Sequence, residues 1–319
     1  MSDRKTHLDA VAVTSLVLCC ALWGLNHTVT KLTLADVPPL VQAGVRSLGA
    51  AVLVALWAAW RGISLNPCNG TLAGGLLAGA LFAAEFAAIF IGLQYTLASR
   101  MIVLIYLAPF VVALGMPLVA RTERPTAGQW LGLIAAFAGV AWAFGEALSG
   151  AGHGAGDGAG DGAGDGTGAS HRQWLGDALG VLAAVLWGAT TLAIRGSRLA
   201  NASPEQTLVY QLAVSGVLLI AGSLAVGETW PALASLGPRP LAFMAFQTVV
   251  ITFASYLLWF WLVRHYPATA VTSFTLLTPL FGLLTAVWLL GEPLTLRLGV
   301  ACAAVVVGIA LVNRPSRPG

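Results

Sequence analysis

The amino-acid sequence predicts an all-α integral membrane protein with ten transmembrane helices, arranged as two inverted repeats of five helices each. Three features lead to this prediction: a strongly apolar composition, ten apolar stretches of membrane-spanning length, and an internal similarity between the two halves of the chain. Hydrophobic residues make up 58% of the 319 residues and charged residues 9%, whereas soluble domains carry about 25% charged residues. The chain therefore lacks the polar residues to cover a water-facing surface, and the lipid bilayer is its expected surrounding.

Ten segments are long and apolar enough to cross the roughly 30 Å of a bilayer's hydrocarbon core, which takes about 20 residues of helix. In chain order they are residues 10–31, 38–60, 72–95, 99–119, 127–146, 174–195, 205–227, 239–263, 267–290 and 295–313. Short links with proline, asparagine or charged residues separate most of them, for example Pro38-Pro39 and Glu123-Arg124-Pro125. Links this short make consecutive helices run antiparallel.

The link between the fifth and sixth spans is different, because residues 147–173 are rich in glycine and aspartate. A segment with so few large apolar groups cannot bury enough surface to offset the entropy lost on ordering, which predicts a flexible tether. Its spaced aspartates, Asp157, Asp161 and Asp165, raise the alternative of a calcium site, but their spacing does not fit the glycine-rich nonapeptide calcium repeat. We therefore predict no metal site in this segment. At the other end of the chain, residues 314–319 are predicted to form a short tail after the last span.

The distribution of basic residues predicts the orientation of the chain in the membrane. With the N-terminus inside, the inner segments hold ten Lys and Arg residues and the outer segments hold five, which fits the excess of basic residues in cytoplasmic loops. Both termini are then cytoplasmic. Because 14 of the 16 basic residues are arginine, the composition is typical of GC-rich bacteria and indicates a bacterial inner (plasma) membrane. A net charge of +3 without a basic run argues against a nucleic-acid partner.

The two halves of the chain resemble each other, which is the most informative feature of the sequence. A Leu-Trp-Gly triplet at residues 22–24 recurs 164 residues later at 186–188, and Pro109 recurs 170 residues later as Pro279; both prolines are expected to kink their helices. The chain thus divides into repeats at residues 1–146 and 174–313. Because each repeat has five spans, an odd number, the second is inverted relative to the first. Inverted repeats are typical of secondary transporters, whose substrate sites lie at the repeat interface near the bilayer midplane.

Several short motifs, taken in order, resemble the EamA branch of the drug/metabolite transporter (DMT) superfamily. They are the segment from Ala21 to Lys31, Arg46 in the second span, the Leu-Ala-Pro sequence at 107–109 and the Leu-Gly-Glu-Pro sequence at 290–293. The resemblance covers nearly the whole chain, in two copies. It implies a ten-helix fold with a central cavity, a small-molecule substrate, and the export of amino acids or other small metabolites, without naming the substrate.

Charged side chains within a span are costly and mark functional candidates, and Arg46 and Glu85 are the two clearest cases. Helical rise places them about 12 and about 15 Å below the same predicted membrane face, which lets their side chains approach each other. In one interpretation, Arg46 binds a substrate carboxylate while Glu85 binds a cation or cycles a proton. In the other, the two form a structural pair that locks the second span to the third. The second repeat has Gln211 and Ser255 at the matching positions, which indicates an asymmetric polar pocket.

Further polar and aromatic residues complete the predicted substrate site. Asn26 and His27 follow the first Trp-Gly pair, and His27 could couple transport to protons because histidine titrates near neutral pH. Lys31 and Arg195 are expected to mark span ends and to extend their charges towards opposite interfaces. The predicted substrate-binding set consists of Trp23, Asn26, His27, Arg46, Glu85, Tyr106, Trp187, Gln211 and Tyr256.

The sequence leaves three functional classes open. A secondary transporter is favoured, driven by a coupling ion such as the proton or by downhill efflux, since the chain contains no GxxxxGK[ST] nucleotide-binding loop. An intramembrane enzyme acting on lipid would need clustered catalytic groups, and neither HExxH nor GxSxG occurs. A channel or a non-transporting membrane partner is the third class, and it would need rings of pore-lining charge. We therefore predict no enzyme activity, no catalytic residue and no cofactor, and we leave a homodimer as an open expectation.

Overall fold

The computed structural model describes residues 8–66, 69–119, 172–266, 271 and 274–312, together with scattered positions between 128 and 142. Every regular element in this part of the chain is helical, and no β-strand occurs in it. The fifth predicted span at 127–146, the tether at 147–173 and the tail at 314–319 lie wholly or largely outside the described residues. These three assignments therefore stay predictions.

The helices that the structure describes follow the predicted order of spans. They are α1 (Ala10–Thr33), α2 (Pro39–Trp60), α3 (Leu72–Gly92), α4 (Ala98–Ile105), α5 (Ala108–Val119), α6 (Gln173–Arg195), α7 (Pro204–Ala225), α8 (Pro238–Ala245), α9 (Tyr256–His265), α10 (Leu277–Leu290) and α11 (Leu296–Val312). A π-helical segment, Phe246–Ser255, joins α8 to α9 without a break.

Among the described residues, seven helical stretches are long and apolar enough to cross a membrane, which confirms seven of the predicted spans. They are α1, α2, α3, α6, α7, the stretch Ala98–Pro117 through α4 and α5, and the stretch Pro238–Leu262 through α8 and α9. The last two predicted spans, 267–290 and 295–313, are represented by the shorter apolar helices α10, with 14 residues, and α11, with 17 residues. The chain is thus a multi-pass membrane protein whose described elements are all helical, and the division into ten spans and two repeats stays a prediction.

Proline and a polar cap begin several helices. Pro39 and Pro204 are the first residues of α2 and α7, positions at which the missing amide hydrogen of proline costs no hydrogen bond. At the start of α1, the Asp9 carboxylate accepts a hydrogen bond from the Ala12 amide at 2.9 Å. Such a cap satisfies one of the amide groups that have no partner within the helix. The second and seventh predicted spans thus both begin with a proline in the structure.

Glycines let neighbouring helices approach each other closely in the centre of the bundle. A methyl group added at Gly24 of α1 would lie 2.6 Å from the backbone nitrogen of Gly282 in α10. In the second half, a methyl group on Gly188 of α6 would lie 2.6 Å from the Cβ atom of Val111 in α5. The glycines after the two repeated tryptophans thus mark close helix contacts, as small residues do within membranes.

The fourth span is broken into two helices directly before Pro109, because α4 ends at Ile105 and α5 begins at Ala108. In the second half, a 3₁₀ turn, Phe274–Leu276, directly precedes α10, in which Pro279 is the third residue. A proline near the start of a helix loses no hydrogen bond, since the first amide groups lack a partner within the helix. Both prolines therefore stand at the beginning of a helical segment rather than in the middle of a kinked helix.

A cluster of polar side chains joins helix ends on the side of the bundle where α1 ends, which we call the Lys31 end. The Glu292 carboxylate, between α10 and α11, accepts hydrogen bonds from the amides of Ala98 (2.8 Å) and Ser99 (2.9 Å). It also accepts one from the Ser99 hydroxyl at 2.5 Å. The Lys31 ammonium group lies 3.4 Å from this carboxylate and donates to the Thr96 carbonyl at 2.7 Å. Lys31 lies in the last turn of α1, at a span end as predicted, and its charge is paired with that of Glu292.

Two further acidic residues connect helices at the Lys31 end. Asp177 of α6 forms a salt bridge with Arg100 of α4. Glu228, which follows α7, accepts hydrogen bonds from the amides of Leu40 (3.1 Å) and Val41 (2.9 Å) at the start of α2. A carboxylate at a helix N-terminus satisfies free amides and interacts favourably with the helix dipole. At this end of the bundle, α2 and α4 are therefore both capped by glutamates from distant parts of the chain.

Candidate functional site

A cavity of about 210 Å³ lies in the helix bundle between the two halves of the chain. Its wall contains residues of α1, α3 and α4 from the first half and of α6, α7, α9, α10 and the π-helical segment from the second. Trp23 and Trp187 line it from well inside α1 and α6, which places the cavity away from both helix ends. Tyr106, at the break between α4 and α5, and Thr278, at the start of α10, also line it. The break between α4 and α5 and the start of α10 therefore lie at the same cavity wall.

Eight of the nine predicted substrate-binding residues line this cavity, namely Trp23, Asn26, His27, Glu85, Tyr106, Trp187, Gln211 and Tyr256. They belong to widely separated parts of the sequence, and the packing of the two halves brings them together. The structure gives them a common location, while their role in binding a substrate stays a prediction.

Arg46, the ninth predicted residue, is fully buried in α2 and does not belong to the cavity lining. Its guanidinium carbon lies 4.1 Å from the ring centroid of Phe86 and 5.1 Å from that of Phe90, both in α3. None of its side-chain nitrogens has a hydrogen-bond partner among the described residues. The predicted approach to Glu85 therefore produces no hydrogen bond, although the two charges interact electrostatically. The aromatic rings instead provide the main contact of this cation, by an interaction worth about 2 kcal/mol or more where water is excluded.

Glu85 carries the one formal charge among the described residues that line the cavity, with His27 counted as neutral. The side chain is buried, and its Oε2 atom has no hydrogen-bond partner. The buried atoms Asn26 Oδ1, His27 Nδ1 and Thr278 Oγ1 also lack a partner. A buried polar atom without a partner costs roughly 1–3 kcal/mol, and a charged one more. The cavity wall thus presents several unsatisfied polar groups that a bound molecule could satisfy.

Aromatic side chains form much of the remaining wall. The indole nitrogen of Trp23 donates a hydrogen bond to the Ser255 hydroxyl at 2.8 Å, which fixes its ring against the second half of the chain. The Trp23 ring meets those of Tyr256 and Trp259 at centroid distances of 6.2 and 5.2 Å. Trp187 instead contacts Tyr106, at 5.6 Å and nearly at a right angle. The two repeated tryptophans therefore both reach the cavity but have different partners.

Sequence reasoning missed several residues of the wall, above all Phe82, Phe86 and Ile89 of α3. A signal for them exists, because Phe82, Glu85, Phe86 and Ile89 follow the i, i+3, i+4, i+7 pattern of one helix face. Once Glu85 is placed at a cavity, this spacing assigns its neighbours to the same wall. Phe86 has a second role, since the ring that lines the cavity also contacts Arg46.

A buried polar network next to the site was also missed. The Gln247 Oε1 atom, in the π-helical segment, accepts hydrogen bonds from Thr30 of α1 (3.2 Å) and Gln42 of α2 (3.1 Å). The Gln247 Nε2 atom donates to the Thr33 hydroxyl at 3.2 Å. These bonds attach α1 and α2 to the π-helical segment. Amides and hydroxyls of this kind connect helices in membranes, where an unsatisfied polar group has no water to bond.

The described lining of the cavity combines one carboxylate, several neutral polar groups and many aromatic rings. Among the residues that the structure describes, no group of three or more His, Cys, Asp or Glu could hold a metal ion. The arrangement can accept hydrogen bonds, balance one positive charge and bury an apolar surface.

The model of the EamA-like transporter family matches residues 10–145 and 174–314, which together cover most of the chain. This chain belongs to the EamA-like transporter family. The protein is therefore an integral membrane transporter of this family, as the order of motifs in the sequence predicted. The match occurs in two segments, one in each half of the chain.

Several bacterial relatives align over nearly the full length of this EamA-like transporter. The uncharacterized transporter YvbV of Bacillus subtilis (strain 168) is 28% identical over 95% of this chain and 91% of its own length. The uncharacterized inner membrane transporter YedA of Escherichia coli (strain K12) is 24% identical over 92% and 87%. A probable amino-acid metabolite efflux pump of the same strain is 28% identical over 88% and 87%. A protein of known crystal structure shares the fold, with a TM-score of 0.62 and 18% identity over 94% of this chain and 95% of that chain.

Proposed function

We propose that this EamA-like transporter is a secondary transporter that exports a small metabolite, an amino acid or a similar organic compound, by alternating access. The observation that carries the proposal is the cavity between the two halves of the bundle, with side chains of both halves in its wall. Substrate sites of inverted-repeat transporters lie in such a place. The volume of about 210 Å³ is below the roughly 300–1,000 Å³ of pockets for drug-sized ligands, which favours a substrate of amino-acid size.

Two inverted repeats, at 1–146 and 174–313, are our proposal for the architecture behind this mechanism. The family match in two segments supports it. Helix contacts support it as well, because α2 packs along α7, its proposed counterpart in the second repeat. The packing of α1 on α10 likewise has a counterpart in the packing of α6 on α4 and α5. Reciprocal pairs of this kind are expected when an axis in the membrane plane relates the two halves.

Protons are the coupling ion that we propose. Glu85 and His27 both line the cavity, and both can change charge by gaining or losing a proton. An ionisable group within a membrane is a candidate for proton relay, because its charged form is costly there. Release of a proton from Glu85 would thus change the cavity's affinity for a charged substrate.

For Arg46 we propose the structural role, one of the two that the sequence left open. Its contacts with Phe86 and Phe90 connect α2 to α3, and the side chain is absent from the cavity lining. Its charge still attracts that of Glu85 from behind the wall, without a hydrogen bond between the two described side chains. A structural contact that holds the second span against the third thus accounts for the position of Arg46 better than direct binding of a substrate carboxylate does.

Export and the location of the protein follow the relatives. One relative is named a probable amino-acid metabolite efflux pump and another an inner membrane transporter, which supports export across the bacterial inner membrane. Two cytoplasmic termini and a homodimer stay predictions from the sequence.

Mass spectrometry of the culture medium tests the proposed function. Cells with wild-type protein would be compared with cells with Gln211→Phe, in which a ring fills the cavity. Val217→Phe is the matched control, since Val217 lies on the same helix α7 but is 59% exposed on the outside of the bundle. We expect a metabolite to accumulate outside the cells with the wild type and the control but not with Gln211→Phe, at equal amounts of protein in the membrane. Accumulation with all three proteins would show that transport does not depend on the cavity. Accumulation with none of them would refute export.

A further inference from the structure

We propose that the cavity recognises the ammonium group of its substrate, through the Glu85 carboxylate and the aromatic rings around it, and that its described lining offers no cationic partner to a substrate carboxylate. This inference rests on the proposed transport function and specifies its substrate class. The substrates are organic amines with an apolar or aromatic body, and amino acids would be recognised through their amino group.

The charge of the wall is the first reason. Glu85 is only 5% exposed, and its Oε2 atom has no hydrogen-bond partner. A buried carboxylate needs a counter-charge or a set of hydrogen bonds to offset the loss of hydration. The nearby cation, Arg46, makes no hydrogen bond to it and lies outside the lining. A positively charged group inside the cavity would complete this incomplete pair.

The shape of the aromatic wall is the second reason. The rings of Tyr256 and Trp259 meet the Trp23 ring at interplanar angles of 80° and 64°. Rings at such angles form the corner of a box, and they line the same cavity as Glu85. The faces of aromatic rings attract cations, most strongly where water is excluded. A box of rings beside one carboxylate is therefore suited to a protonated amine.

Arg46 provides an example of this chemistry within the same molecule. Its guanidinium group rests on Phe86 and Phe90 without any hydrogen bond to its nitrogens. Phe86 belongs to the cavity wall, so one ring of the wall already holds a buried cation.

A substrate carboxylate, in contrast, finds no cation in the described lining. Asn26 and Gln211 could donate hydrogen bonds to it through their amide groups, but Glu85 would repel it. The carboxylate of an amino acid is therefore tolerated at the neutral side chains and contributes little to affinity.

Three ligands with the same ring test this inference: phenethylamine has only the ammonium group, phenylpropionate has only the carboxylate, and L-phenylalanine has both. Binding to the full-length protein in lipid nanodiscs would be measured by calorimetry. We expect phenethylamine and L-phenylalanine to bind within about tenfold of each other, and phenylpropionate to bind roughly 100-fold more weakly, as expected when a buried charge loses its partner.

Matched variants assign the effect to the proposed groups. Glu85→Gln keeps the size of the side chain and should weaken phenethylamine binding by roughly 100-fold, whereas Glu205→Gln, an acidic residue in the first turn of α7, should not. Tyr256→Leu removes one ring of the box and should bind phenethylamine about tenfold more weakly, the loss of one cation–π contact. Its control is Trp60→Leu, which removes a ring of α2 that is 74% exposed and should leave binding unchanged. This comparison keeps the test decisive if Glu85→Gln does not fold.

Two outcomes would overturn the inference. One is phenylpropionate binding as tightly as L-phenylalanine. The other is the absence of phenethylamine binding at millimolar concentration to a folded wild-type protein. Either outcome leaves the export experiment unaffected, because accumulation of a metabolite in the medium does not depend on which group of that metabolite is recognised.

Discussion

A Glu292→Ala substitution is expected to destabilise the protein by about 3 kcal/mol, the lower end of the cost of removing one partner from a buried ion pair. The lower end applies because the Lys31 side chain is 27% exposed while that of Glu292 is 4% exposed. After the substitution, Lys31 keeps some contact with water and its bond to the Thr96 carbonyl. The amides of Ala98 and Ser99, in contrast, lose their cap at the start of α4.

The assay is thermal unfolding of the purified protein in detergent. Large chains lose roughly 2 °C in Tm per kcal/mol, so Glu292→Ala should unfold about 6 °C below the wild type. Glu292→Gln keeps one carbonyl acceptor and loses the charge, and we expect about half of this decrease. The control is Glu205→Ala, which removes an acidic residue from the first turn of α7 and should cost less than about 1 kcal/mol. Equal Tm values for Glu292→Ala and Glu205→Ala would refute the assignment of Glu292 as the cap of α4.

Three further substitutions probe other contacts. Glu228→Ala removes both acceptors for the amides of Leu40 and Val41 and should lower the free energy of unfolding by about 1–2 kcal/mol. This loss would be measured as a decrease in Tm of a few degrees, and a Tm equal to that of the wild type would exclude a capping role. Gly24→Val should prevent α1 from packing on α10 and abolish folded protein in the membrane, because even a methyl group would lie 2.6 Å from the Gly282 nitrogen. The control is Gly299→Ala, where an added methyl group would meet no other described part of the chain within 4 Å. It should be produced normally, and equal yields of the two variants would contradict this packing. Asp177→Asn should lower Tm by roughly half as much as Glu292→Ala, because the amide can still accept the 2.6 Å hydrogen bond from the Thr96 hydroxyl.

The apolar spans could be predicted from the sequence because length and hydropathy determine whether a helix crosses a membrane. The predicted spans at 10–31 and 205–227 correspond to α1 and α7 within a few residues. Residues of the cavity could be predicted for a related reason, since polar side chains within a span, such as Asn26 and Glu85, have few places to lie except inside the bundle.

The geometry around Arg46 could not be predicted from the sequence. Helical rise gives the depth of Arg46 and Glu85, but the rotation of α2 and α3 about their axes depends on packing. The structure turns Arg46 onto the rings of Phe86 and Phe90. The role of Glu292 was missed for a similar reason, because it caps amides that are 193 and 194 residues away in the sequence.

The direction in which side chains point after the π-helical segment Phe246–Ser255 depends on the number of residues in that segment. Its hydrogen bonds close over five residues instead of four, and the Thr252 hydroxyl also reaches back five residues, to the Gln247 carbonyl at 2.8 Å. Each residue gained or lost in a helix turns everything beyond it by about 100°. Tyr256 and Trp259, which line the cavity, come directly after this segment. A deletion of one residue here would leave the span apolar and long enough for the bilayer. It would, however, rotate the rings of Tyr256 and Trp259 about the helix axis and point them away from the cavity.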